Sequence, residues 1–219
     1  MREIFDAELR QIGDDLVQMS KLVESAVTRA GKALLEADLQ VAQEVIAADH
    51  EIDARQRELD ERCVHLLAQQ APVATDLRIV VSALRMSATL ERMGDLARHV
   101  AEVARGRYPA HAIRHTAEPT FASMAAAASE VAREVTTLLG TRDLGLANEI
   151  EKNDDVLDLL HQQTFATLLA PEWDGTTQEA VDITLVGRYL ERFGDHATSI
   201  ARRIVFLVTG DVDEGATHA

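Results

Sequence analysis

Two short acidic stretches carry the residues of this chain best placed to do chemistry. Glu91-Arg92-Met93-Gly94-Asp95 recurs as Glu191-Arg192-Phe193-Gly194-Asp195, at an offset of 100 residues. In each copy the acids stand four apart, which on a helix projects both carboxylates from one face about one turn apart. Like charges at that spacing cost an isolated helix roughly 0.2–0.5 kcal/mol. A glycine inside a helix costs about 1 kcal/mol relative to alanine. A sequence that accepts both costs at matching places is holding a surface geometry. Two further pairs, Asp49/Asp53 and Asp154/Asp158, match at an offset of 105. If each half brought its two pairs together, four carboxylates would meet. Such oxygen clusters suit magnesium, manganese, calcium or iron, with zinc a further candidate.

The number of such pairs decides nothing. A chain this acidic is expected to hold roughly six acid pairs four apart by composition alone, and it holds six: 49/53, 91/95, 130/134, 151/155, 154/158 and 191/195. Position is what carries weight, because four of the six fall at equivalent places in the two halves. The plainer reading is a solvated acidic face that pairs with Arg92, Arg98 and Arg192. Spacing by itself leaves both readings open.

The elements that must position these acids are helices. From about Glu3 to Ala37, apolar residues from Ile4 through Leu16 and Val23 to Leu34 recur at steps of mostly three and four, an amphipathic helix. Asp38 is placed to cap a second helix reaching about Gln69, and Pro72 begins a third. In the third, Ile79, Ala83, Met86, Leu90, Met93, Ala97, Val100 and Ala104 form a seam of period 3.5, as in helices packed side by side. Seated on that seam, the helix turns Glu91 and Asp95 away from the core. The region from Gly106 to Pro119 breaks the pattern and links the halves. A fourth helix spans about Thr120 to Leu139, its Ala125–Ala128 run suited to close packing. A fifth spans about Asp143 to Leu169, and a sixth Gln178 to Val208. The sixth helix repeats the seam of the third at an offset of 100, except that Leu207 falls on Arg107. The chain is therefore all-α: two tandem, pseudo-symmetric three-helix bundles, over 1–108 and 109–209. The tail 210–219 is acidic and expected to be disordered.

Composition narrows the function. Of 219 residues 47% are hydrophobic but only 4% aromatic, as in bundles with aliphatic cores. With 37 acidic against 22 basic residues the net charge is −15, which disfavours a nucleic-acid backbone as partner. Cys63 is the only cysteine, so no internal disulfide forms, and it reads as a small buried apolar residue. The charged N-terminus lacks a signal-peptide core, and no apolar run approaches the ~20 residues that span a bilayer. A cytoplasmic protein without direct membrane insertion is expected. Arg78, Arg85, Arg92 and His99, each seven apart, make a basic stripe on the third helix, expected to be salt-bridged surface. Trp173 is expected to plug a connection. No phosphate-cradling glycine loop, Gly-x-Ser-x-Gly or catalytic Cys/His spacing is present, so no enzyme is expected.

The doubled Glu-Arg-apolar-Gly-Asp, the Asp-x-x-[Ile/Leu]-Asp of each second helix, Phe5-Asp6-Ala7-Glu8-Leu9 and Pro72-x-Ala74-x-Asp76-Leu77-Arg78 together resemble the PhoU family of phosphate-signalling regulators. The resemblance runs over nearly the whole chain. It implies two three-helix bundles and a non-enzymatic negative regulator of the phosphate-starvation response. Such a regulator acts between the ATPase of the phosphate ABC transporter and a sensor histidine kinase, and a homodimer is expected. It also implies iron or zinc clusters on the acid-x-x-x-acid motifs, here Asp49/Asp53, Glu91/Asp95, Asp154/Asp158 and Glu191/Asp195. The second half departs from the pattern, with Thr176-Thr177-Gln178-Glu179 in place of the proline-led segment. A ferritin-like di-iron oxidase is the alternative, but it calls for Glu-x-x-His motifs; the nearest case here is Asp158-x-x-His161. A metal-free helical scaffold is the third reading.

Overall fold

The computed structural model describes residues 2–70, 72–113 and 116–211. Six helices follow in order: α1 (Arg2–Glu36), α2 (Leu39–Gln70), α3 (Ala74–Arg107), α4 (Glu118–Thr141), α5 (Leu144–Leu168) and α6 (Thr177–Thr209). From residue 212 on, the acidic tail lies outside the described residues.

Local chemistry sets the helix starts. Asp38 accepts from the Val41 amide at 3.0 Å, and Asp143 accepts from Gly145 at 2.7 Å, each satisfying a first-turn N–H. The departure at Thr176-Thr177-Gln178-Glu179 has a local reason: Thr176 and Glu179 form a reciprocal capping box at the start of α6. Pro72 does not begin α3, which starts at Ala74 after an uncapped Val73. The Trp173 ring lies over Gly175 and packs on the core. Cys63 is fully buried.

Each half is a three-helix bundle. α1 packs on α2 and α3, and α4 on α5 and α6; across the halves, α1 meets α4 and α3 meets α6. α2 and α5 stay on the outside, each touching only its own bundle among the described residues. The buried side chains nevertheless form one continuous core. At the α1–α4 contact a Cβ on Gly31 would lie 2.9 Å from Cβ of Ala125. The small residues there let the two backbones approach.

The seam's one mismatch has a role. Arg107, at the end of α3, forms a two-pronged ion pair with Asp182 of α6, one prong at 2.9 Å. Asp182 is buried, and Gln178 also donates to it at 3.0 Å. The Arg107 side chain is 34% exposed and Gln178 still holds Asp182, so removing Arg107 costs only part of the roughly 3–5 kcal/mol that stranding a fully buried charge costs. Arg107→Ala is therefore expected to lower Tm by about 2–8 °C. Adding Asp182→Asn should recover most of that loss in thermal unfolding; a double variant no more stable than Arg107→Ala would contradict this account.

Candidate functional site

Met93 and Phe193, the central residues of the two pentapeptides, are fully buried. With them seated in the core, the flanking acids lie on the opposite side of each helix, where α2 packs on α3 and α5 on α6. The glycine next to Met93 belongs to the same arrangement. A Cβ on Gly94 would lie 2.8 Å from Cδ1 of Ile52 and 3.7 Å from Oδ1 of Asp49. Its missing side chain lets α2 settle close enough to hang Asp49 over α3. On α6, Gly187 gives α5 the same kind of room: a Cβ there would be 3.1 Å from the His161 ring.

In the second half Asp158, Glu191 and Asp195 converge, each offering a carboxylate oxygen within 4.8 Å of the others. Among the described residues this is the one group of three so arranged. Glu191, turned away from the seam, is still only 9% exposed, because α5 covers it. One of its oxygens accepts from Arg188. The other, Oε2, is buried without a hydrogen-bond partner among the described residues. Burial, and then the charges of Asp195 and Asp158, hold its carboxyl above the ordinary range, with Arg188 opposing. A buried anionic oxygen without a partner is costly, and it has the chemistry of an unfilled ligand position for a hard cation. The Asp154 side chain lies outside the described residues.

The first half is built differently. Burial raises the Asp49 carboxyl, and so do Asp53 and Asp95, against the pull of Arg98. Glu91 is likewise raised, by burial and by Asp95 first among its acidic neighbours. All four predicted acids, Asp49, Asp53, Glu91 and Asp95, therefore share one neighbourhood. A guanidinium stands among them: Arg98 contacts Asp49 at 2.7 Å, Asp95 at 2.7 Å and Glu102 at 2.8 Å. Arg92 adds longer contacts of 3.4 Å to Glu91 and Asp95. Here the plainer, arginine-paired reading describes what is seen. At the repeat-equivalent position of Arg98 stands Thr198, with no charge to offer. As they stand, the second-half residues fit a cation and the first-half residues hold a side-chain countercharge. The comparison of positions 98 and 198 was available in the sequence; Arg188, which stands where the first half has Ala88, gave no signal there.

The basic stripe is not the salt-bridged surface expected. It faces α6, antiparallel, in a regular register. Arg78 lies against Gly210 and 5.8 Å over the Phe206 ring, and Arg85 bears on Arg203. Arg92 shares a cleft with His196, and His99 stacks on Tyr189 at 5.2 Å. Of the four, only Arg92 pairs with a carboxylate among the described residues.

Two three-helix units that share a core, each carrying acids on its second and third helices, define a tandem helical repeat protein with paired carboxylate sites. The PhoU domain model matches the chain twice, over residues 16–104 and 121–204. Phosphate-specific transport system accessory protein PhoU homolog 1 of Mycobacterium leprae is 41% identical over 217 residues, covering 99% of this chain and 98% of its own. PhoU homolog 2 of Mycobacterium tuberculosis is 40% identical, with 96% and 99% covered. The crystal structure of PhoU from Pseudomonas aeruginosa superposes with a TM-score of 0.83 at 30% identity, over 94% of this chain and all of that one. The phosphate transport system regulatory protein PhoU of Streptococcus pneumoniae shares the fold, with a TM-score of 0.85 at 24% identity over 96% and 99%. The chain belongs to the PhoU family.

The raised carboxyl of Glu191 has a consequence for stability. Its folded value lies above the ordinary 4.5, so the folded state carries a cost that is full at neutral pH and fades as pH falls through the raised value toward 4.5. In metal-free buffer Glu191→Gln is expected to be more stable than wild type at pH 7. The gap should close on acidification, as read by urea unfolding at stepped pH; a gap that widens would contradict the desolvated-carboxylate picture.

Proposed function

We propose that this protein is a negative regulator of phosphate uptake and of the phosphate-starvation response, working in the cytoplasm by binding rather than by catalysis. Its partners in this reading are the ATPase of a phosphate ABC transporter and a sensor histidine kinase, and it acts as a homodimer. The observation that carries the reading is end-to-end kinship, at 40–41% identity, to proteins named as accessories of phosphate-specific transport. The absence of any membrane-spanning helix among the described residues is compatible with it. Deleting the gene and reading a phosphate-starvation reporter, such as secreted alkaline phosphatase, in phosphate-rich medium is the test. Constitutive expression, repressed again by the wild-type gene, is expected. Continued repression in a strain lacking every paralogue would overturn the proposal.

Metal binding is part of the proposal. Asp158, Glu191 and Asp195 would hold a hard or borderline cation, with Asp154 on the same helix as the fourth acid by repeat position. A bound cation supplies positive charge that offsets the mutual repulsion of these acids and fixes α5 against α6. For Asp49, Asp53, Glu91 and Asp95 the cation would compete with Arg98, so weaker binding is expected there. The di-iron oxidase reading is not favoured: His161, the one residue that approaches its motif, does not join the second-half cluster.

Titration of the metal-free protein with ferrous iron, zinc, manganese and magnesium should raise Tm by about 5–10 °C at a hundredfold excess over Kd for the preferred ion. Glu191→Gln with Asp195→Asn should abolish that shift, and Asp49→Asn with Asp95→Asn should preserve most of it. A shift that survives the first pair and disappears with the second would reverse the assignment.

A further inference from the structure

The acid clusters leave one feature of the molecule unused. Between α3 and α6 lies a cleft of about 240 Å³, and its walls carry Arg92, Arg188, Arg192, His99, His196 and Tyr189. Among the described residues Asp95 is the only acid on those walls, and it is already held by Arg98 at 2.7 Å. Three guanidinium groups thus share one concavity in a chain of net charge −15.

Neighbouring carboxylates do not account for all three. Arg188 pairs with Glu191. Arg92 reaches Glu91 and Asp95 only at 3.4 Å, longer than the 2.7–2.9 Å of a good charge-assisted contact. Arg192 has no carboxylate within ion-pair distance among the described residues. The ring nitrogen Nδ1 of His99, on the same wall, is buried without a hydrogen-bond partner among the described residues. In so acidic a protein, arginines left short of partners in a concave site are an invitation to an outside anion. Long-range repulsion from the remaining acids is screened within about 8 Å at physiological salt.

We propose that the α3–α6 cleft is a binding site for a phosphate-type oxyanion. Guanidinium forks from two directions match a tetrahedral, multiply charged anion better than a single carboxylate, because each fork can hold two of its oxygens. Arg92 comes from the first repeat and Arg188 and Arg192 from the second, so the anion bridges the two halves. Tyr189 and His99 add an aromatic edge that would also accept a larger phosphate ester. The site follows from the charge of the cleft and stands apart from the regulatory role proposed above.

Isothermal titration of the purified full chain with inorganic phosphate, pyrophosphate and ATP, each at fixed ionic strength and with sulfate as the competing anion, tests the site. Saturable binding of at least one phosphate compound in the presence of equimolar sulfate is expected. Tight binding of inorganic phosphate identifies the free ion, and binding confined to ATP or pyrophosphate identifies a phosphoryl group on a larger ligand. Arg192→Gln, an exposed change that breaks no ion pair, should weaken binding by roughly 10-fold or more. Arg92→Gln should do the same, and Arg133→Gln, on α4 away from the cleft, should leave binding intact. Absence of saturable binding, displacement by equimolar sulfate, or affinity indifferent to both cleft substitutions would each overturn the proposal. Circular dichroism and Tm of the Arg192 variant, expected to match wild type, exclude loss of fold as the cause of weakened binding.

Discussion

Burying one side chain at the centre of each pentapeptide constrains the rest of the site. Once Met93 or Phe193 is sealed in the core, helix geometry turns the acids two residues to either side toward the opposite side of the helix, and the outer helix packed there, α2 or α5, covers them. The same burial demands that the neighbour come close, and at Gly94 it does so because no Cβ is in the way. Carboxylates that would be ordinary on an open helix thereby become partly desolvated and crowded by like charges. The raised proton affinities of Glu91 and Glu191 are the electrostatic signature of that position.

A crowded set of acids needs positive charge from somewhere, and the two halves take it from different sources. The first half uses Arg98, which reaches Asp49 on α2 and Asp95 on α3 and so staples the two helices together. The second half has Thr198 at that position and keeps a buried oxygen of Glu191 without a hydrogen-bond partner among the described residues. A duplicated architecture has thus diverged at its charge balance while conserving its packing. The first half carries its countercharge on Arg98, between its two helices; the second has Arg188, which reaches one oxygen of Glu191.

The junction between the halves follows a different principle from either bundle. Small residues at the α1–α4 contact bring backbones together, whereas α3 and α6 face each other with long basic and aromatic side chains in antiparallel register. One ion pair, Arg107 to Asp182, closes one end of that seam. Further along, Arg92, Arg188 and Arg192 line a cleft. The cleft therefore joins the repeats, and anything bound there touches both.

Periodicity alone determined the six helices, their order and the duplication, because a stripe of apolar residues at steps of three and four can be satisfied only by packing that face. Helix starts were legible at Asp38 and Asp143, where a short acidic side chain caps its own helix; the α3 start was misplaced because Pro72 proved to be outside it. Cys63 and the seam residues were legible as core for the same local reason. The eight candidate acids could be named from their repeat, but not their states. Whether an acid meets a guanidinium, another acid or nothing depends on side chains delivered by a different helix, as with Arg98 reaching across to Asp49. The basic stripe shows the same limit. Its seven-residue spacing was plain, yet only the docking of α6 onto α3 decided that it faces the other half of the molecule, since a helix face carries no mark of which neighbour will cover it.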